Sequence, residues 1–137
     1  MTADRVIINA DGASRHNPGP ASIGATIKDE QGHLLVSISR SIGWATNNQA
    51  EYRALIAALE KAIGLGARQV DIRLDSELVV KQMKGQYRVK NAALRPLYLR
   101  VAELLSQFES FTITNVPRAQ NAEADSLANK ALRNTST

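Results

Sequence analysis

The chain has 137 residues, 44% of them hydrophobic and 22% charged, a balance that fits one folded domain and excludes wholesale disorder. It has no cysteine and only two histidines, His16 and His33, which removes disulfides, thiolate-ligated metals and a histidine-rich metal site. A net charge of +4 points only weakly to a polyanion, and aromatic residues, at 4%, are too few for a platform of stacked bases.

No apolar run approaches the roughly 20 residues that cross a bilayer, and no leader pattern opens the chain. The expectation is a monomer with no membrane partner, placed in the cytoplasm. One domain is expected over residues 1–133, with a frayed tail at 134–137.

Residues 6–10 form a short apolar run that ends at Asp11-Gly12, a buried strand by its pattern. Residues 13–20 are dense in turn formers and read as a loop. Strands follow at 22–28 and 34–41, joined by hairpin chemistry at 29–32. From Asn48 to Leu65 the apolar period becomes helical, with Leu55, Ala58, Leu59, Ala62 and Ile63 on one stripe and Gly64 and Gly66 as stop signals. Val70, Ile72 and Leu74 alternate with polar residues as a fourth strand. A short helix is expected over 76–84, stopped by Gly85. A longer one carries Leu94 to Phe108, with Pro96 in its first turn. Residues 111–116 read as a fifth strand, and Asn121 opens a last helix bearing Ala124, Leu127, Ala128, Ala131 and Leu132. The order βββαβααβα implies an α/β fold with a five-stranded mixed sheet, three antiparallel strands followed by parallel additions, flanked by helices.

Four acids stand where a domain of this kind would not casually place them. Asp11 ends the first strand and Asp75 the fourth, so parallel neighbours would bring the two carboxylates together at the ligand-binding end of the sheet. Glu51 and Asp125 lie near helix starts, each on the apolar stripe that should face the sheet. Taken singly, each also has a purely structural explanation. Asp11-Gly12 is a turn dipeptide, Asn48 and Glu51 fit a capping box, Asp75 could cap the next helix, and Asp125 suits the positive end of its own. Together they aim at one crevice. Such a cluster needs a cation to stay ionised, and hard oxygen ligands suit Mg²⁺, with two ions able to serve in-line phosphoryl displacement.

Four stretches carry a family resemblance: Asp11 to Ala13 with Asn17 to Pro20, Thr46 to Glu51, Leu74 to Ser76, and Asn121 to Ala128. In order and spacing they resemble the type 1 ribonuclease H family over nearly the whole chain. The resemblance implies hydrolysis of the RNA strand of RNA–DNA hybrids to 3′-hydroxyl and 5′-phosphate ends, with two Mg²⁺ ions or Mn²⁺ in their place. It implies that Asp11 bridges both ions and that Glu51, Asp75 and Asp125 complete their shells. It assigns Asn17, Asn47 and Asn48 to the minor groove of the hybrid, where 2′-hydroxyls separate RNA from DNA. Thr46 matches a position that grips a phosphate of the DNA strand. For Asn17 and Asn47 the competing explanation is loop chemistry, and for Thr46 it is a helix cap.

Two departures stand out. Many members carry a histidine in the loop before the last acid, and here residues 116–121 contain none. Arg118 is the charged side chain in that loop. Its guanidinium can steady a phosphate or simply face solvent, but it cannot trade protons at neutral pH. The segment between Asp75 and Asp125 is also too short for the basic insert of some members. Lys81, Lys84, Arg88 and Lys90 supply either a reduced phosphate-binding patch or a solvated helix end. The alternatives to the hybrid nuclease are a relative that also takes double-stranded RNA and a catalytically silent nucleic-acid-binding module.

Overall fold

A computed structural model describes residues 4–134. Strands β1 (Arg5–Ser14), β2 (Gly19–Lys28) and β3 (Leu34–Ala45) form an antiparallel meander. Helix α1 (Asn47–Gly64) then crosses to β4 (Gln69–Leu74), which joins β1 in parallel. Helices α2 (Glu77–Met83) and α3 (Arg95–Leu105) lead to β5 (Ser110–Asn115), parallel to β4. A 3₁₀ turn over Arg118–Asn121 then enters α4 (Ala122–Arg133). The sheet order is β3-β2-β1-β4-β5. The expected element order and mixed sheet are both present.

Three boundaries differ from the sequence reading. β1 runs on to Ser14 and β2 begins at Gly19, so the expected loop over 13–20 shrinks to the four residues at 15–18. The Arg15 N–H donates to the Pro20 carbonyl at 2.8 Å, and Ser14 Oγ donates to the Ala45 carbonyl at 2.9 Å. These bonds satisfy backbone that the turn-forming composition had suggested was open. β3 continues to Ala45 because a register shift near Gly43, which has φ +81°, lets residues 43–45 keep pairing with β2. Asn134, expected in the tail, closes α4 by donating its N–H to the Lys130 carbonyl at 3.2 Å. The rest of that tail, 135–137, lies outside the described residues.

The core sits on one side of the sheet, where Val6, Ile8, Ala10, Ile72 and Leu74 meet the Leu55, Ala58, Leu59 and Ala62 stripe of α1. On the other side α4 packs on β2 with almost no gap. A Cβ at Gly24 would stand 2.2 Å from the Ala124 carbonyl oxygen, and Ser22 Oγ donates to the Ala128 carbonyl at 2.5 Å. Small residues on both elements allow this approach, which carries Asp125 to the end of the sheet. Among the described residues no helix is long and apolar enough to cross a membrane.

Candidate active site

The carboxyl ends of β1 and β4 lie side by side, with Ala10 paired to Leu74, so the next residue on each strand is an acid. The end of β4 is tied further to β5: the Val116 N–H and Asn115 Nδ2 both donate to the Leu74 carbonyl, at 2.8 and 3.1 Å. Glu51 reaches the pair from the second turn of α1. Gly12 makes this possible, because a Cβ there would stand 2.2 Å from the Ala50 carbonyl carbon. The Gly12 N–H instead donates to Glu51 Oε1 at 2.5 Å. Asp11, Glu51 and Asp75 each present an oxygen within 4.8 Å of the others.

Asp125, in the first turn of α4, lines the same cleft of about 360 Å³ and interacts with Asp11, but its oxygen falls outside that triad. Arg118 also reaches the cleft, donating from Nη2 to Asp125 Oδ1 at 3.4 Å. A larger cleft of about 560 Å³ lies on the open sheet face beside Asn9 and Arg73, away from the clustered acids.

Burial pushes the Asp11 carboxyl from its ordinary value near 3.8 up to about 10, with the hydrogen bond and charge of Glu51 next in size and Asp125 and Asp75 adding to the shift. Burial likewise raises Glu51, against the hydrogen bonds from Asp11 and Gly12 that favour its ionised form. Both shifts favour the uncharged form of these two acids. The donor set therefore fits a hard divalent cation: it is made of carboxylate oxygens, packed closely enough that their ionised forms repel, with Arg118 touching only the outermost of them.

The structural explanations for the acids do not hold at two positions. The capping box of α1 is Thr46 with Gln49, whose N–H donates to Thr46 Oγ1 at 3.1 Å while the Thr46 N–H donates back to Gln49 Oε1 at 2.8 Å. Glu51 therefore does not cap this helix. Nor does Asp75 cap α2, since Ser76 Oγ accepts from the Val79 N–H at 3.3 Å. Asn17 Oδ1 accepts from the Asn47 N–H at 2.9 Å, and Asn47 Oδ1 accepts from the Ser14 N–H at 3.0 Å. Both amides are exposed and spend their oxygens on the loop, which leaves their NH₂ groups facing solvent. Asn48 is exposed one residue further along α1. His33 is bound to Asp29 in the β2–β3 hairpin, and neither histidine lines the acid cleft. In the expected basic patch, Lys81 pairs with Glu77 and lies 4.9 Å from the Tyr87 ring centroid, while Lys84, Arg88 and Lys90 are exposed. Two contributors had no role at the acids in the sequence reading: the Gly12 backbone, and Asn121, which hydrogen-bonds to Asp75.

The reverse transcriptase-like family pattern matches residues 9–131. Ribonuclease HI of Halobacterium salinarum is 48% identical over 128 residues, 93% of this chain. The crystal structure of the ribonuclease H1 from that organism superposes with a TM-score of 0.93 at 47% identity, covering 96% of this chain and 99% of that one. The chain belongs to the type 1 ribonuclease H family. A ribonuclease H1 crystallised with an RNA/DNA hybrid shares 42% identity and a TM-score of 0.89, covering 93% of this chain and 96% of that chain. A bifunctional protein of Mycobacterium tuberculosis is 47% identical over 129 residues, 93% of this chain. The chain spans 35% of the length of that mycobacterial relative and 64% of the Halobacterium one. Within the ribonuclease H family, this chain is of the kind with no histidine in the loop before the last acid and no long basic insert.

Proposed function

We propose that the chain is an endonuclease that hydrolyses the RNA strand of RNA–DNA hybrids and leaves 3′-hydroxyl and 5′-phosphate ends. The convergence of Asp11, Glu51 and Asp75 within 4.8 Å, with Asp125 on the rim, carries this reading. A family relative at 42% identity that binds an RNA/DNA hybrid supports the substrate. Asp11, Glu51, Asp75 and Asp125 would hold the divalent cations, two Mg²⁺ or Mn²⁺ in their place. When bound, such ions supply positive charge for the phosphoryl oxygens and acidify a coordinated water. In the overall reaction water forms a bond to phosphorus, the bond from phosphorus to the 3′-oxygen breaks, and a proton ends on that oxygen.

The chain's own side chains supply the rest. Thr46 accepts from Gln49 through its hydroxyl oxygen, so its O–H remains able to donate to a phosphate of the DNA strand. Asn17 and Asn47 present NH₂ donors, which suit the minor-groove acceptors of bases and the oxygen of a 2′-hydroxyl. Asn48 extends that surface. Arg118, exposed and reaching Asp125, would steady the scissile phosphate. One chain supplies all four carboxylates, which supports action as a monomer, and a cysteine-free composition suits the reducing cytoplasm.

The test is cleavage of end-labelled hybrid, RNA duplex and DNA duplex with Mg²⁺ and with chelator. Cuts are expected in the RNA of the hybrid with Mg²⁺ alone. Cleavage of RNA duplex as well would widen the substrate class. Equal rates on DNA duplex, or unchanged rates in chelator, would overturn the proposal.

A further inference from the structure

Asn121 sits where a helix cap belongs, at the junction of the 3₁₀ turn and α4, yet its side chain makes no capping bond. It turns into the sheet instead and is 1% exposed. Its Nδ2 donates to the Ala10 carbonyl at 2.9 Å and to Asp75 Oδ1 at 3.3 Å. Its Oδ1 accepts from Asn9 Nδ2 at 3.1 Å, and the same Asn9 group donates to the Gln120 carbonyl at 3.3 Å. One buried amide thus grips the backbone just before Asp11 and the side chain of Asp75. The polarity of this chain of bonds is fixed by its members. A backbone carbonyl and a carboxylate can only accept, so the NH₂ of Asn121 must face them and its oxygen must face a donor. Asn9 is that donor, and it reaches Asn121 from the larger cleft on the open sheet face.

The arrangement answers a physical problem in the site. Asp75 is half-buried beside two other acids, and repulsion would swing its carboxylate out toward water. A neutral donor anchored to the neighbouring strand holds it inward without adding a charge.

We propose that Asn121 is a positioning residue that fixes the Asp75 carboxylate for cation binding. The proposal rests on the nuclease reading for the identity of the site, but its test does not depend on cleavage alone. The informative pair is Asn121→Ala and Asn9→Ala, the second at a residue outside the acid cleft. Both variants lose the bond between Asn9 and Asn121, but only Asn121→Ala also loses the donors to the Ala10 carbonyl and to Asp75. Asn9→Ala leaves the Asn121 amide anchored on both.

Mn²⁺ titration of each nucleic-acid-free protein reads the effect directly, with melting temperature as the control for folding. Asn121→Ala is expected to weaken Mn²⁺ binding by about tenfold, the scale seen when a partner of a metal ligand is lost. It should lower kcat on the hybrid with little change in KM, while Asn9→Ala stays within about threefold of the parent on both measures. Neither variant changes the charge, so a loss cannot be a charge effect. Unchanged Mn²⁺ affinity in Asn121→Ala, or equal losses in both variants, would overturn the proposal. Absence of cleavage by the parent chain would count against the nuclease reading only, since the Mn²⁺ comparison stands without it.

Discussion

The backbone N–H of Gly12 donates to the carboxylate of Glu51 across 2.5 Å, and no other residue type at position 12 would allow it. A Cβ there would overlap the Ala50 carbonyl, which belongs to the helix that carries Glu51. Gly12→Ala should therefore push α1 off β1, at a cost of roughly 1–3 kcal/mol, and withdraw Glu51 from Asp11. Denaturant melts will read the first effect and Mn²⁺ titration the second. Wild-type values for both would show that the contact is dispensable.

Asp11 makes the metal-free protein sensitive to pH. Its carboxyl is pushed up to about 10 in the folded chain from an ordinary value near 3.8, mainly by burial. The folded state thus keeps a proton that the unfolded chain has already released, and stability falls as pH rises between those two values. Glu51 is raised as well and acts in the same direction. In chelator, melting temperature should be lower near pH 9 than near pH 5. Mg²⁺ should restore it on the alkaline side, because the ionised acids then have a counter-charge. Asp11→Asn should flatten the profile while abolishing cleavage. A profile that rises from pH 5 to pH 9 in chelator would contradict this account.

Thr46 caps α1, and substitution can separate that duty from the proposed phosphate contact. Thr46→Val keeps the shape but loses the hydroxyl, so α1 should lose about 1 kcal/mol of capping stabilisation. If the same hydroxyl also donates to a phosphate, KM for the hybrid should rise with its salt dependence unchanged, because the hydroxyl carries no charge. Thr46→Ser should recover both. A loss of stability with no change in KM would limit Thr46 to the cap.

Arg118 touches only Asp125 and is exposed, so Arg118→Ala should leave thermal stability within about 2 °C of the parent. Its expected effect is on turnover, with kcat lowered by about tenfold or more and Mn²⁺ affinity little changed. Undiminished kcat would return Arg118 to the role of a solvated surface residue.

The element order and the four acids were readable because they rest on strong local signals. The helical stripe of Leu55 to Ala62, the alternation of Val70 to Leu74 and the acids that end two strands all show in the sequence. Capping was harder to read, since Thr46 with Gln49 and Asn48 with Glu51 offer the same spacing two residues apart. The choice is made by Gly12, from a strand far away in sequence, which engages Glu51. The extent of β1 to β3 was hidden by Gly, Ser and Pro, whose turn-forming tendency is overridden by cross-strand pairing. Asn9 carried no signal, and Asn121 was read as the start of the last helix and of a family stretch without its bond to Asp75, because an asparagine at a strand face and another at a helix start are both ordinary.

Close seating of α4 against β2, through Gly24 and Ala124, has a bearing on biosynthesis. Asp11 leaves the ribosome early, but Asp125 follows only after more than a hundred further residues, on the final helix described. Until that helix docks, the nascent polypeptide lacks one of the four acids that line the cleft.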